Sequence, residues 1–116
     1  MGYLFLLKRL ANVCYLSRKY ADAEKYYKVC IELMPKVTSN PANAFSANKN
    51  LLLLYTYTDI KKALDFATKL NKQAPEMLPL HFKELRFMTA NVHFLHGEYM
   101  QAKLIYRELL SMDLKP

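Results

Sequence analysis

Two histidines, His93 and His96, are the side chains of this sequence whose type and spacing could support chemistry. They lie three positions apart in a predicted helix, so both imidazoles would project from one side of it, where they could hold a metal ion. A protein metal site needs more than two ligands, and no third ligand is evident. We therefore predict no metal site.

The other reactive residues do not form a catalytic pattern. Cys14 and Cys30 belong neither to a CxxC pair nor to a set of metal ligands, and small buried thiols in a reducing compartment are the simpler interpretation. The sequence contains no glycine-rich phosphate loop, no HExxH and no acidic pair in a recognisable catalytic setting. We predict a protein that is not an enzyme and has no cofactor.

The composition predicts a single, mostly helical domain. Its 116 residues suffice for one domain with a core, 53% of them are hydrophobic, and only two are glycine. The net charge of +7 raises the question of a nucleic-acid ligand, but acidic residues lie among the basic ones from Asp22 onward. A dedicated nucleic-acid-binding face is therefore disfavoured.

The sequence favours a location inside the cell. No apolar run is long enough to cross a membrane, and Lys8 and Arg9 interrupt the N-terminal one, so neither a transmembrane segment nor a secretory signal is expected. Peripheral attachment of the N-terminal helix to a membrane is a third alternative, but it rests only on the apolar residues 4–7 beside these two charges. The segment from Met1 to Tyr20 carries basic but no acidic side chains, as mitochondrial transit peptides do. The cytoplasm is favoured, with mitochondria as the alternative.

Hydrophobic periodicity and breaker residues predict six helices. Pro35 is expected to end the second helix, and Pro41 to begin the third. Asp59 is placed to cap the fourth helix, and Gly97 to supply the left-handed residue that closes the fifth. The predicted helices span about residues 3–17, 20–34, 41–57, 60–74, 80–96 and 98–112.

The chain also contains an internal repeat. The segment ANVCYL at positions 11–16 returns as ANVHFL at positions 90–95. A weaker copy lies between them, centred on Ala63 and ending at Pro75. Repetition at a short period indicates stacked structural units, each covering the apolar face of the next. The match continues into the following helix, where Tyr20, Ala23 and Tyr27 return as Tyr99, Ala102 and Tyr106.

This pattern of small, aromatic and proline residues resembles the tetratricopeptide repeat, a pair of helices of about 34 residues. The first repeat carries the small residues Ala11 and Ala23 and the closing Pro35. The second matches less well, because Leu51 replaces a small residue and Ala67 replaces an aromatic one. The resemblance implies an all-α, right-handed α-solenoid of three antiparallel helix pairs, a single domain over residues 1–116 with repeats at about 3–36, 41–76 and 79–114.

In this family the first helix of each pair lines a concave groove that binds a peptide or a helix. The asparagines at the matching positions could hold an extended backbone, since each side chain offers a donor and an acceptor. The alternative is that some of the aromatic side chains complete the core of the helix pairs. The implied groove residues are Phe5, Arg9, Asn12, Phe45, Asn48, Lys49, Leu52, Tyr55, Phe87, Met88 and Asn91, with Leu16 and Leu95 on the same surface.

These residues predict a protein-interaction scaffold that is a subunit or segment of a larger complex. Some tetratricopeptide domains hold a chaperone C-terminus with lysine, asparagine and arginine side chains. That set is absent here, which disfavours a chaperone adaptor. The alternative function is an RNA-binding helical repeat, with which the chain shares the helix-pair layout and the basic charge. The positions that match the chaperone-binding set are Phe5, Arg9, Lys49, Glu84 and Met88.

The sixth helix is expected to expose an apolar strip at one end of the array. Repeat arrays need a polar outer face on their terminal units, and this helix has apolar residues where a further repeat would stack. The sequence therefore predicts that this end is covered by another chain, by a second copy of the protein or by a continuation of the repeat array. The residues of this end interface are Ile105, Leu109 and Met112, next to Leu104.

Overall fold

The computed structural model describes residues 2–37, 41–73 and 77–113, and within these ranges the chain is helical and contains no strand. Neighbouring helices pack against each other, so the predicted all-helical fold is confirmed. The helices are α1 (Gly2–Leu16), α2 (Tyr20–Val37), α3 (Pro41–Thr58), α4 (Ile60–Asn71), α5 (Pro79–Leu95) and α6 (Tyr99–Asp113).

Of the helix boundaries predicted from Pro35, Pro41 and Asp59, two are confirmed and one is wrong. Pro41 begins α3, and the Asp59 side chain caps α4 by accepting a hydrogen bond of 3.3 Å from the Lys62 amide. Pro35 does not end α2, which continues to Val37. A proline so close to the end of a helix removes one backbone hydrogen bond and leaves the earlier turns intact. Pro75 lies outside the described residues.

The chain packs as two compact units, Met1–Leu54 and Tyr55–Pro116, and the boundary between them falls within α3. In the first unit, α1 packs along α2. Ala11 and Ala23 are completely buried, as expected where two helices approach most closely. The centre of this core takes one side chain from α1, two from α2 and one from α3: Leu4, Cys30, Met34 and Ala47.

In the second unit, α5 packs against both α4 and α6. A polar network ties the three helices together. Arg86 of α5 makes two hydrogen bonds to the Glu108 carboxylate of α6, at 3.1 and 3.3 Å. It also donates at 3.0 Å to Asn71 of α4, and the Asn71 amide donates at 3.0 Å to Thr89 of α5. A bidentate arginine is the strongest of these contacts, so Arg86 fixes the register of the unit.

The internal repeat recurs in the turns that join α1 to α2 and α5 to α6. Arg18 has a φ of 65° and Gly97 a φ of 85°, the left-handed conformation in both cases. Each turn also has the long backbone hydrogen bond of a Schellman motif, from Lys19 to Cys14 at 2.8 Å and from Glu98 to His93 at 2.9 Å. Gly97 was predicted to adopt this conformation, whereas Arg18 was not. The two outer hairpins therefore close in the same way, one with glycine and one with arginine.

The left-handed conformation at Arg18 predicts that Arg18→Gly stabilises the protein. A residue with a Cβ is strained there, and its replacement by glycine should raise the free energy of unfolding by about 1 kcal/mol. Urea denaturation measures the change. Lys19→Gly is the matched control, because Lys19 does not have a positive φ and glycine there adds only flexibility to the unfolded chain. Equal stability of the two variants would contradict the prediction.

Candidate protein-binding surface

Four of the predicted groove residues belong to the core. Tyr55, for example, packs edge-on against Phe66 with ring centroids 5.7 Å apart, and the Lys62 ammonium lies 5.7 Å from the Tyr55 ring centre. The helical spacing correctly placed these residues on one side of their helices. The protein itself covers that side. Their assignment to an open binding groove was therefore wrong. The buried four are Phe45, Leu52, Tyr55 and Met88.

The asparagines Asn12 and Asn91 make a contact within their own hairpins. The Tyr27 hydroxyl donates a hydrogen bond to the Asn12 side-chain carbonyl, and the Tyr106 hydroxyl donates to that of Asn91. The two pairs occupy equivalent positions in the two outer copies of the repeat. Each asparagine carbonyl therefore orients a tyrosine of the second helix of its pair, which the sequence did not predict. Asn48 and Lys49, two further polar residues of the predicted groove, are half-buried on α3.

Burial makes the Tyr27 hydroxyl a weaker acid. The side chain is 2% exposed, and this loss of water raises the pKa of Tyr27 to about 12, with Tyr15 and the two cysteines nearby adding to the shift. Burial also raises the pKa of the Cys30 thiol. A neutral buried thiol is a weak nucleophile, so Cys30 is a packing residue.

The predicted groove residues of α1 that remain accessible form one row. Phe5, Arg9, Asn12 and Leu16 recur at the i, i+4, i+7 and i+11 spacing of a single helix face, and we call them the α1 row. Phe5 and Leu16 are exposed, and the Arg9 guanidinium lies 5.1 Å from the centre of the Phe5 ring. This cation–π contact places a positive charge beside an accessible aromatic ring.

A second row lies on α5. Phe87, Asn91 and Leu95 recur at i, i+4 and i+8, and we call them the α5 row. Phe87 is 52% exposed and rests against Tyr106, with ring centroids 6.2 Å apart. Because Asn91 holds the Tyr106 hydroxyl, the aromatic support beneath Phe87 has a defined position. The row therefore presents an ordered ring to the solvent.

The face of α6 that lies open differs from the predicted end interface. Ile105 is 7% exposed, and Leu109 and Met112 are half-buried, whereas Leu104 and Leu110 are about 60% exposed. Ile105, Leu109 and Met112 share a helix face with the buried Ala102, which explains why that face points inward. The expected exposure of Ile105 was therefore wrong, while that of Leu104 is confirmed.

An open groove of about 400 Å³ runs along α6 next to the end of α5. Phe94 and Tyr99 form one wall with ring centroids 5.7 Å apart, and Lys103 and Arg107 add positive charge. Sequence reasoning missed this groove, although the two tyrosines at repeat positions of α6 indicated a large side chain there. The lining of this α6 groove is Phe94, Tyr99, Ala102, Lys103, Tyr106, Arg107 and Leu110.

The two histidines share a carboxylate. Nδ1 of His93 lies 2.8 Å and Nδ1 of His96 lies 3.4 Å from Oε1 of Glu98. The hydrogen bond with His93 lowers the pKa of Glu98 below its ordinary value. Within the described ranges, no three His, Cys, Asp or Glu side chains are grouped so that they could hold a metal ion. The contact therefore joins the end of α5 to the turn before α6.

None of the helices in the described part of the chain is long and apolar enough to cross a lipid bilayer.

The pairing of Tyr27 with Asn12 predicts two effects of Tyr27→Phe. At neutral pH the variant should lose about 1 kcal/mol of stability, because the Asn12 carbonyl loses its donor. In the wild type, the raised pKa adds stability that is complete below pH 10 and is lost as the pH rises from 10 to about 12. The variant should lack this alkaline loss. Urea denaturation at a series of pH values measures both effects.

Tyr57→Phe is the matched control, because Tyr57 is 68% exposed on α3. It should change neither the stability at neutral pH nor the alkaline loss. Equal alkaline loss in the wild type and in Tyr27→Phe would contradict the assignment.

Comparison with known proteins identifies no relative. No protein-family model matches the chain, and no curated protein or solved structure matches it. Similarity to the tetratricopeptide repeat therefore stays a prediction based on residue pattern.

Proposed function

We propose that the protein is a non-catalytic interaction module of the tetratricopeptide kind and that it works inside the cell as part of a larger assembly. Its partner is a protein segment, either a helix or an extended peptide. The α1 row and the α5 row are each, within their own unit, a surface for such a segment. The observation that carries the proposal is the exposure of Phe5, Leu16, Phe87 and Leu95 at positions where the repeat pattern expects partner contacts.

The α5 row fits an apolar side chain of the partner. Exposed apolar side chains that are aligned on one helix face are typical of interaction sites, whereas single exposed ones are ordinary. Phe87 and Leu95 are both about half exposed, and Asn91 lies between them. A partner side chain that covers Phe87 removes apolar area from water without reorganising the ring, because Tyr106 already supports it.

The α1 row indicates the charge of the partner. Arg9 is exposed beside Phe5, and α1 carries no acidic residue. A segment that combines an apolar side chain with a carboxylate would satisfy both groups of this row. This chemistry is that of an acidic, amphipathic protein segment.

Several basic side chains have partners within the protein. Lys8 donates to the Ser46 hydroxyl at 2.8 Å, Lys28 pairs with Glu24 at 3.0 Å, and Arg86 is held by Glu108. These three basic side chains therefore already have a partner within the fold. The free cysteines Cys14 and Cys30 are also in keeping with a reducing compartment.

Phe87→Ala tests the proposal. Truncation of a central aromatic anchor should weaken partner binding by roughly thirtyfold, which corresponds to about 2 kcal/mol. The partner is first captured with the wild-type chain and identified by mass spectrometry. Its affinity is then measured with purified proteins by titration calorimetry. Tyr57→Ala is the matched control, because it removes an exposed aromatic ring that belongs to neither row.

Circular dichroism of both variants should match that of the wild type, since both positions are exposed. An affinity of Phe87→Ala within twofold of the control would contradict the α5 row as a binding surface. Capture of RNA, abolished by ribonuclease, would contradict the proposed protein partner and favour the RNA-binding alternative.

A further inference from the structure

The outer face of α1 is apolar and exposed. Tyr3, Leu6, Leu10 and Val13 recur at i, i+3, i+7 and i+10, and we call them the outer face of α1. Their exposed fractions are 65, 67, 43 and 59%. This face is distinct from the α1 row, which lies on another side of the helix. Four aligned apolar side chains with this exposure are a surface that a soluble protein normally covers.

The internal repeat shows what covers this kind of face. The equivalent residues in the last copy of the repeat are Phe82, Leu85, Thr89 and Val92 of α5. Leu85 and Val92 are 0% exposed and Thr89 is 5% exposed, because α4 packs on this side of α5. The contact is fixed at Thr89, whose hydroxyl accepts the hydrogen bond from Asn71 of α4. In the second unit, therefore, the equivalent face is covered by the second helix of a repeat.

The helix equivalent to α4 in the last repeat is α6, and its corresponding face is the α6 groove. Ala63 of α4 matches Ala102 of α6 in the repeat pattern. The same alignment places Leu110 at the position of Asn71. Leu110 is 59% exposed and lines the groove. The outer face of α1 therefore lacks a covering helix of the α4 kind. The helix α6 is of that kind, and its corresponding face is open.

The two open surfaces match in chemistry. In the covered contact, a polar residue of α4, Asn71, meets a polar residue of α5, Thr89. In the open surfaces both positions are apolar, with Leu110 in place of Asn71 and Leu10 in place of Thr89. A change on one side alone would bury an unpaired polar group against a leucine, which is costly. When both positions are apolar, a contact between two leucines takes the place of the hydrogen bond.

From this match we propose that the protein associates head to tail. The α6 groove of one copy covers the outer face of α1 of a second copy, in the manner in which α4 covers α5. Leu110 of one copy contacts Leu10 of the next. The contact is heterologous, because it joins two different surfaces. It uses neither the α1 row nor Phe87, so it is independent of the proposed partner binding.

The charge of the protein sets the conditions for this association. Each copy carries a net charge of +7, and Lys103 and Arg107 lie along the α6 groove. The copies therefore repel each other at long range, and salt screens this repulsion. An apolar contact opposed by like charge should become stronger as the salt concentration rises. A contact with an acidic partner would become weaker.

The experiment uses sedimentation velocity of the full chain over a range of concentrations, at low and at moderate salt. The wild type should form dimers and larger species, more so at moderate salt. Leu10→Asp and Leu110→Asp should each be monomeric at concentrations at which the wild type associates. Leu80→Asp is the matched control, because it places the same charge at a leucine that is 76% exposed and lies outside both proposed contact surfaces, and it should associate like the wild type.

Mixing the two monomeric variants tests the head-to-tail geometry. The Leu10→Asp chain keeps its α6 groove and the Leu110→Asp chain keeps its outer face of α1. An equimolar mixture should therefore form a dimer and nothing larger. A concentration-independent wild-type monomer at both salt concentrations would overturn the proposal. So would a mixture that stays monomeric, or association that Leu10→Asp leaves unchanged. Far-ultraviolet circular dichroism establishes that each variant is folded.

Discussion

The close approach of two helices at buried alanines is the constraint on which each outer hairpin depends. Ala11 and Ala23 in one unit, and Ala90 and Ala102 in the other, are at most 2% exposed. A larger side chain at such a position would force the helices apart or into strained rotamers. Once one residue of a helix is fixed against its neighbour, the rotation of the whole helix is fixed too. The alanines therefore decide which side chains turn inward and which stay exposed.

The paired hydrogen bonds between tyrosine and asparagine follow from this constraint. With the helix rotations set, Tyr27 reaches Asn12 and Tyr106 reaches Asn91. These contacts cross from the second helix of a pair to the first, so they resist sliding of one helix along the other. The same two asparagines had been expected to bind a peptide backbone. In the structure their carbonyls stabilise the hairpin, and the exposed apolar side chains beside them are the part of each row that we propose to bind a partner.

Residue pattern was sufficient to predict the six helices, the Asp59 cap and the left-handed Gly97, because each depends on local chemistry. The residue pattern was insufficient where the burial of a helix face depends on which element packs against it. Phe45 and Leu52 have the spacing of a groove, yet they are buried, and periodicity identifies a face without identifying its neighbour. Arg18 was missed because arginine rarely adopts a positive φ. Its alignment with Gly97 in the internal repeat was the signal that could have found it.

The two copies of the repeat also allow a comparison that one copy alone would not. The covered face of α5 contains a threonine, Thr89, while the exposed outer face of α1 has Leu10 at that position. If water were the permanent neighbour of the α1 face, a polar side chain there would be harmless and an apolar one would favour aggregation. At this position the opposite arrangement is found, with leucine in the exposed copy and threonine in the covered one. Leu10 at this position is therefore in keeping with the proposed self-association, in which a helix covers the outer face of α1 as α4 covers the equivalent face of α5.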